Sequence, residues 1–184
     1  ERIEKEVIQP TLDGMASEGA PYKGVLYAGV MIEDGRLRVV EFNCRFGDPE
    51  TQVVLPLLDG DLAELMVAAA HGNLGKTNFT TSHGSSLCVV IASGGYPGPY
   101  TKGYTVDGID KADSIENVKV FHAGTTFDNG NIITSGGRVF GVTGWGDTFY
   151  EARDRAYQAA ECITFQDSFY RKDIGNKALK YIET

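Results

Sequence analysis

The stretch Val39-Val40-Glu41-Phe42-Asn43-Cys44-Arg45-Phe46-Gly47-Asp48-Pro49-Glu50 restricts this chain more than any other. An extended strand sends successive side chains to opposite faces. Val40, Phe42, Cys44 and Phe46 therefore share one face, predicted to enter a core. Glu41, Asn43 and Arg45 share the other, and a Gly-Asp-Pro turn ends the run. That second face sets a carboxylate, a carboxamide and a guanidinium in one row. Hard oxygen donors suit a cation such as Mg²⁺, and a guanidinium two residues on suits a phosphate or carboxylate gripped through both nitrogens. The alternation alone leaves two readings open. One is a nucleotide–metal site; the other is a half-exposed strand with a surface ion pair between Glu41 and Arg45.

The flanking sequence explains why this stretch should be a strand end. Strands are predicted over 25–32 and 36–43, joined by Asp34-Gly35, a strong hairpin signal. Upstream, Ile3, Val7, Ile8, Leu12 and Met15 fall near helical spacing, with a kink or break expected at Pro10. Downstream, Pro49 suits the first turn of a helix running to about Leu58, with Asp48 placed to cap it and Pro56 limiting its regularity. A further helix is predicted over 62–71. Asp61 caps it, Leu62, Leu65, Met66 and Ala69 form an apolar stripe, and Gly72 ends it.

Residues 73–84 are polar and form the one credible domain boundary. The following half is mostly β, with a continuous apolar strand over 86–92 and short strands over 118–122, 125–127, 132–134 and 138–144. Asp128-Asn129-Gly130-Asn131 reads as a hairpin turn. An amphipathic helix is predicted over 148–163, with Phe149, Ala152, Ala156, Ala159 and Ala160 inward, and a last short helix runs through Ala178, Leu179 and Ile182.

Composition narrows the function classes. A chain of 184 residues that is 42% apolar and 23% charged is of ordinary globular make-up. A net charge of −8 with no Lys/Arg cluster argues against duplex nucleic acid, which needs a basic face. Cys44, Cys88 and Cys162 lie far apart with no CxxC or Cys/His pattern, which speaks against zinc and for a reducing, cytoplasmic setting. No apolar run is long enough to span a membrane. The start, Glu1-Arg2-Ile3-Glu4-Lys5, is neither a signal peptide nor an initiator methionine, so a preceding segment is expected.

Other constellations are weaker. Gly94-Gly95-Tyr96-Pro97-Gly98 follows a strand as a phosphate loop would, but lacks a Gly-Lys-Ser/Thr ending and reads as a structural turn. Ser135-Gly136-Gly137-Arg138 fits an anion nest or a plain hairpin equally. His71, His83 and His122 show no ligand spacing, and His122 reads as a core histidine ahead of one facing a cleft. No serine sits in a nucleophile-elbow pattern.

Taken in order, several segments resemble one family. Tyr22-Lys23-Gly24-Val25-Leu26-Tyr27-Ala28-Gly29-Val30-Met31 and Glu41 through Gln52 are joined by Tyr96-Pro97-Gly98, Tyr100-Thr101-Lys102-Gly103, Phe121-His122-Ala123-Gly124-Thr125, Gly136-Gly137-Arg138-Val139 and Tyr170-Arg171-Lys172-Asp173-Ile174-Gly175. Together they resemble the phosphoribosylamine–glycine ligase (glycinamide ribonucleotide synthetase) family of the ATP-grasp superfamily. The resemblance implies an α/β (α+β) fold. Residues 1–75 would be the C-terminal part of an ATP-grasp core with antiparallel strands and helices, 76–84 a linker, and 85–184 a small β-rich C-terminal domain with flanking helices.

It also implies an ATP-dependent ligase of purine biosynthesis, joining glycine to 5-phosphoribosylamine through glycyl phosphate. Glu41 and Asn43 would hold Mg²⁺ or Mn²⁺ on the ATP phosphates, and Arg45 would contact ATP and steady the transferred phosphoryl group or a substrate anion. Asp48 would orient the substrate amine or only cap the helix. The strand over 25–31 offers no further carboxylate, so water would complete the metal's shell. The rest of the site would lie in an N-terminal part upstream, leaving these residues inactive alone. Another ATP-grasp carboxylate–amine ligase, or a non-catalytic binding or assembly module, stays as an alternative.

Overall fold

The structure, a computed structural model, describes residues 1–182. The chain divides into two compact units: Glu1–Glu50 with Asp59–Thr80, and Thr51–Leu58 with Thr81–Thr184. The short strands β3 (Leu58–Asp59) and β4 (Thr80–Thr81) lie where the chain passes from one to the other.

The first unit opens with a helix that changes character at Pro10. Glu4–Ile8 is a π-helical turn and α1 covers Gln9–Ser17, with Pro10 in its first turn. A proline in a helix removes an N–H and crowds the preceding turn, and a wider turn just upstream takes up that mismatch. Strands β1 (Tyr27–Glu33) and β2 (Arg36–Asn43) form an antiparallel ribbon. Asp34 and Gly35, at φ 49° and 71°, make the tight turn that their sequence predicts. A bulge between Gly29 and Val30 shifts the register, so Gly29 pairs with Glu41 but Val30 with Val39. Helix α2 (Glu50–Val54) gives way to a 3-10 turn at Leu55–Leu57, where Pro56 breaks the pattern. Helix α3 (Leu62–His71) is capped by Asp61, whose Oδ1 accepts from the Ala63 and Glu64 amides at 2.8 and 3.0 Å. Gly72 ends it in the left-handed region at φ 72°.

The predicted apolar faces along 40–46 and on α3 are at most half-buried: Phe46, Leu62, Leu65 and Ala69 are half-buried and the rest are exposed. Val40 is 65% exposed, Phe42 and Cys44 are exposed beside it, and so are Met31, Ile32, Met66 and Val67. Val7 is the one apolar side chain of the unit, among the described residues, that is buried. The reason is geometric: a two-stranded ribbon by itself has two open faces.

The second unit holds the core. Strands β5 (Ser85–Ala92), β6 (Val118–His122) and β9 (Arg138–Gly146) form an antiparallel sheet in the order β5-β9-β6. Its register sets Val89 opposite Val142, Ile91 opposite Phe140 and Val120 opposite Val142. These side chains pack with Ala156, Ala159 and Ala160 of α5 (Phe149–Cys162) into one buried cluster. Small residues let α5 lie close: a β-carbon on Gly144 would sit 2.5 Å from the Ala156 nitrogen and 2.6 Å from the Ala152 carbonyl. A capping box fixes the start of α5, Thr148 Oγ1 accepting from the Glu151 amide at 3.2 Å and Glu151 accepting from the Thr148 amide at 3.1 Å. The opposite face of the sheet meets the 51–58 segment, with Gln52 3.7 Å from where a Gly141 β-carbon would be. The hairpin β7 (Thr125–Asp128) and β8 (Asn131–Thr134) turns on Asn129 and Gly130 at φ 47° and 85°. Two short helices, α4 (Ile109–Asp113) and α6 (Asn176–Ile182), complete the unit.

Candidate functional site

The Glu41–Asn43–Arg45 row falls at the end of β2, where strand gives way to bend. Asn43 Nδ2 donates to Glu41 Oε1 at 3.0 Å, so the two predicted metal residues touch. Gly29, the cross-strand partner of Glu41, leaves the space its side chain needs: a β-carbon there would lie 3.2 Å from Glu41 Cγ. Arg45 does not pair with Glu41. Its Nη1 donates to the Phe46 carbonyl at 2.8 Å, in place of the surface ion pair with Glu41 that alternation left open. Glu41 and Arg45 are exposed and Asn43 is half-buried.

Sequence reasoning missed one neighbour. Tyr27 pairs with Asn43 across the ribbon, and its hydroxyl donates to Glu50 Oε1 at 3.2 Å. The negative charge of Glu50 raises the Tyr27 phenol above the ordinary tyrosine value. Partial burial and the charge of Glu41 add to this, and Arg45 opposes it. Tyr27 and Glu50 thus belong to the same electrostatic neighbourhood as the predicted row. Nothing local in the sequence marks this, because the contact depends on cross-strand register.

The donor set fits a hard divalent cation. Glu41 has carboxylate oxygens and Asn43 a carboxamide oxygen to offer, the ligand types that Mg²⁺ takes alongside water and phosphate oxygens, while the Asn43 nitrogen holds the two side chains together. Among the described residues there is no group of three or more His, Cys, Asp or Glu that could hold a metal.

The glycine-rich segments of the second unit behave as structure. Ser93 Oγ donates to the Gly136 carbonyl at 2.9 Å and the Ser93 amide to the Gly137 carbonyl at 2.8 Å. A β-carbon on Gly137 would collide with the Tyr96 ring. The Ser135 and Gly136 amides both donate to the Gly124 carbonyl, at 2.7 and 3.1 Å, so an anion nest there lacks its donors and the hairpin reading holds. His122 corrects its expectation. It is exposed, its Nδ1 3.0 Å from Thr125 Oγ1 and its ring edge-on to Phe140 at 5.0 Å, because it pairs with Phe140 at the last register position of β6.

Comparison with known proteins follows this division. A family model described as the C domain of phosphoribosylglycinamide synthetase matches residues 86–177, and one described as that enzyme's ATP-grasp (A) domain matches residues 1–51. The chain belongs to the phosphoribosylglycinamide synthetase family. It is 46% identical over 181 residues to a phosphoribosylamine–glycine ligase of Synechocystis sp., covering 97% of this chain and 43% of that protein. It is 48% identical over 180 residues to that of Pasteurella multocida, covering 97% and 42%. The chain therefore spans about two fifths of the length of these relatives. The crystal structure of the Thermotoga maritima phosphoribosylamine–glycine ligase superposes with a TM-score of 0.75 at 35% identity, covering 92% of this chain and 41% of that one. A biotin carboxylase domain from Hydrogenobacter thermophilus shares the fold at a TM-score of 0.62 and 18% identity, over 92% of this chain and 40% of that one. The mixed fold of helices and antiparallel sheets is that of these ATP-grasp proteins.

Proposed function

We propose that these residues are part of an ATP-dependent ligase that joins glycine to 5-phosphoribosylamine. The observation that carries the reading is the Glu41–Asn43 contact at 3.0 Å, on a strand inside the segment that the ATP-grasp family model matches. ATP transfers its terminal phosphoryl group to the glycine carboxylate, giving glycyl phosphate and ADP. The phosphoribosylamine nitrogen then attacks the acyl carbon, phosphate leaves, and glycinamide ribonucleotide forms. Such chemistry is mostly positioning and neutralisation of charge.

In this account Glu41 and Asn43 hold a divalent cation, Mg²⁺ or Mn²⁺, which when bound neutralises the ATP phosphates. Arg45 binds a phosphate oxygen and offsets charge on the group in transfer, which requires its guanidinium to turn from the Phe46 carbonyl toward the nucleotide. Residues 1–75 act as part of the ATP-grasp core and 85–184 as the family's C-terminal domain, with 76–84 between them. The cytoplasm is the compartment this reading expects. Among the described residues no helix is long and apolar enough to cross a membrane.

The test is a coupled ADP-release assay on a full-length ligase of the family that carries these 184 residues in place of the matching part. ADP release that needs both glycine and phosphoribosylamine supports the reading. Release with another carboxylate–amine pair and not with glycine would overturn the substrate assignment. The 184 residues alone are expected to release no ADP.

A further inference from the structure

The turn between β2 and α2 carries a tie that metal and nucleotide binding leave unused. Tyr27, the first residue of β1, donates its hydroxyl to Glu50 Oε1 at 3.2 Å, and both side chains are half-buried. The Glu50 side chain in turn lies directly over Gly47. A β-carbon on Gly47 would collide with the Glu50 carboxylate and sit 2.9 Å from its Cβ, and Gly47 itself is buried. The residue before it, Phe46, accepts the Arg45 guanidinium on its carbonyl at 2.8 Å. The contacts form a chain from Tyr27 to Glu50, from Glu50 to the 46–47 backbone, and from that backbone to Arg45. Tyr27 also faces Asn43 in the strand register, so the chain starts and ends beside the Glu41–Asn43 pair.

We propose that Tyr27 and Glu50 are positioning residues whose hydrogen bond clamps the 46–49 turn and so places Arg45 relative to the Glu41–Asn43 pair. A side chain that must meet developing charge gains most when its backbone is already fixed. An arginine on an unclamped turn would be spread over many positions. The glycine at position 47 is part of the same device, since only a residue without a β-carbon lets the Glu50 carboxylate lie over the turn. The kinetic half of this proposal rests on the ligase reading; the structural half does not.

Hydrogen exchange on the 184-residue chain tests the clamp without reference to activity. Tyr27→Phe and Glu50→Ala are each expected to speed exchange across residues 44–50 about tenfold. Glu50→Gln keeps an acceptor for the Tyr27 hydroxyl and is expected to change it by less than about twofold. Exchange in β5 should not move in any of the three. In the full-length ligase carrying these residues, Tyr27→Phe and Glu50→Ala are expected to lower kcat about tenfold with KM for ATP held, and Glu50→Gln to keep most of it. The Tyr27→Phe/Glu50→Ala double variant should be no slower than the worse single one, as for two ends of one contact. Unchanged exchange in both single variants would overturn the clamp. A Glu50→Gln enzyme as slow as Glu50→Ala would overturn the positioning role and make the carboxylate itself catalytic. If the unsubstituted full-length protein shows no glycine-dependent turnover, the ligase reading fails while the exchange result still decides the clamp.

Discussion

At the scale of single residues, Glu41 carries the most weight. Its carboxylate is the one negative donor in the proposed metal pair, and its side chain is exposed, so removing it should leave the fold intact. Glu41→Ala in the full-length ligase is expected to lower metal-dependent turnover by at least about 100-fold, since the metal's charge neutralisation supplies several kcal/mol to such a transfer. Its thermal midpoint should not change; an active Glu41→Ala enzyme would remove the residue from the site. A different carboxylate supports the second unit. Asp113 accepts from Lys119 Nζ at 2.6 Å and from the Val120 amide at 3.0 Å, and the lysine contact, followed by the amide, holds its pKa below the usual 3.8. A depressed folded pKa contributes stability above the unfolded value, and that contribution is lost as pH falls through the folded one. Asp113→Asn should therefore destabilise the chain at about pH 7 and lose that difference as the pH falls through the depressed folded value of Asp113. Denaturant melts across that range check it, and a constant difference would contradict it. Of the site, Arg45 lies beyond the end of β2 in a bend, whereas the nearness of Glu41 and Asn43 was legible because strand alternation is a local rule. The Tyr27–Glu50 contact was not, since it joins residues 23 apart through a ribbon whose register is shifted by a bulge. His122 misled for a related reason: flanking apolar residues suggested burial, but its place at the end of β6 leaves it open.

At the scale of elements, helix α5 against the sheet is the decisive packing. Gly144 faces the backbone of α5, and a methyl group there must push the helix off β9. Gly144→Ala is expected to destabilise the second unit by about 2 kcal/mol, the range for overpacking against an unyielding neighbour. The control is Gly14→Ala, where a β-carbon would meet nothing within 4 Å and no loss is expected. Urea unfolding midpoints followed by tyrosine and tryptophan fluorescence separate the two; an equal effect would contradict the packing argument. The elements that the sequence announces are those with short-range chemistry. Asp34-Gly35 and Asn129-Gly130 take the positive φ values their turns require, Asp61 and Thr148 cap α3 and α5, and Pro10 and Pro56 disturb their helices. Helix α4 was missed because five residues are too few to show a period.

At the scale of the whole molecule, the two units differ in how they are built. The second buries a cluster of aliphatic and aromatic side chains between sheet and helix, whereas the first leaves Val40, Phe42 and Met31 exposed. Alternation identified Val40 and Phe42 as part of a core face but holds no information about what covers it. Amide protection should accordingly concentrate in β5, β9 and α5, and the β1–β2 ribbon should exchange faster by at least about tenfold. Equal protection would contradict the described packing. The chain spans about two fifths of its relatives' length, and its matches divide between an ATP-grasp segment and a C domain. Glu41 and Asn43 are proposed as this chain's metal pair in a glycine-activating ligase. The most direct measurement is ADP release by the full-length ligase carrying these residues, with and without glycine, for the native sequence and for Glu41→Ala. Glycine-dependent release that Glu41→Ala abolishes is expected; release that ignores glycine, or that survives Glu41→Ala, would remove the Glu41–Asn43 pair from such a ligase.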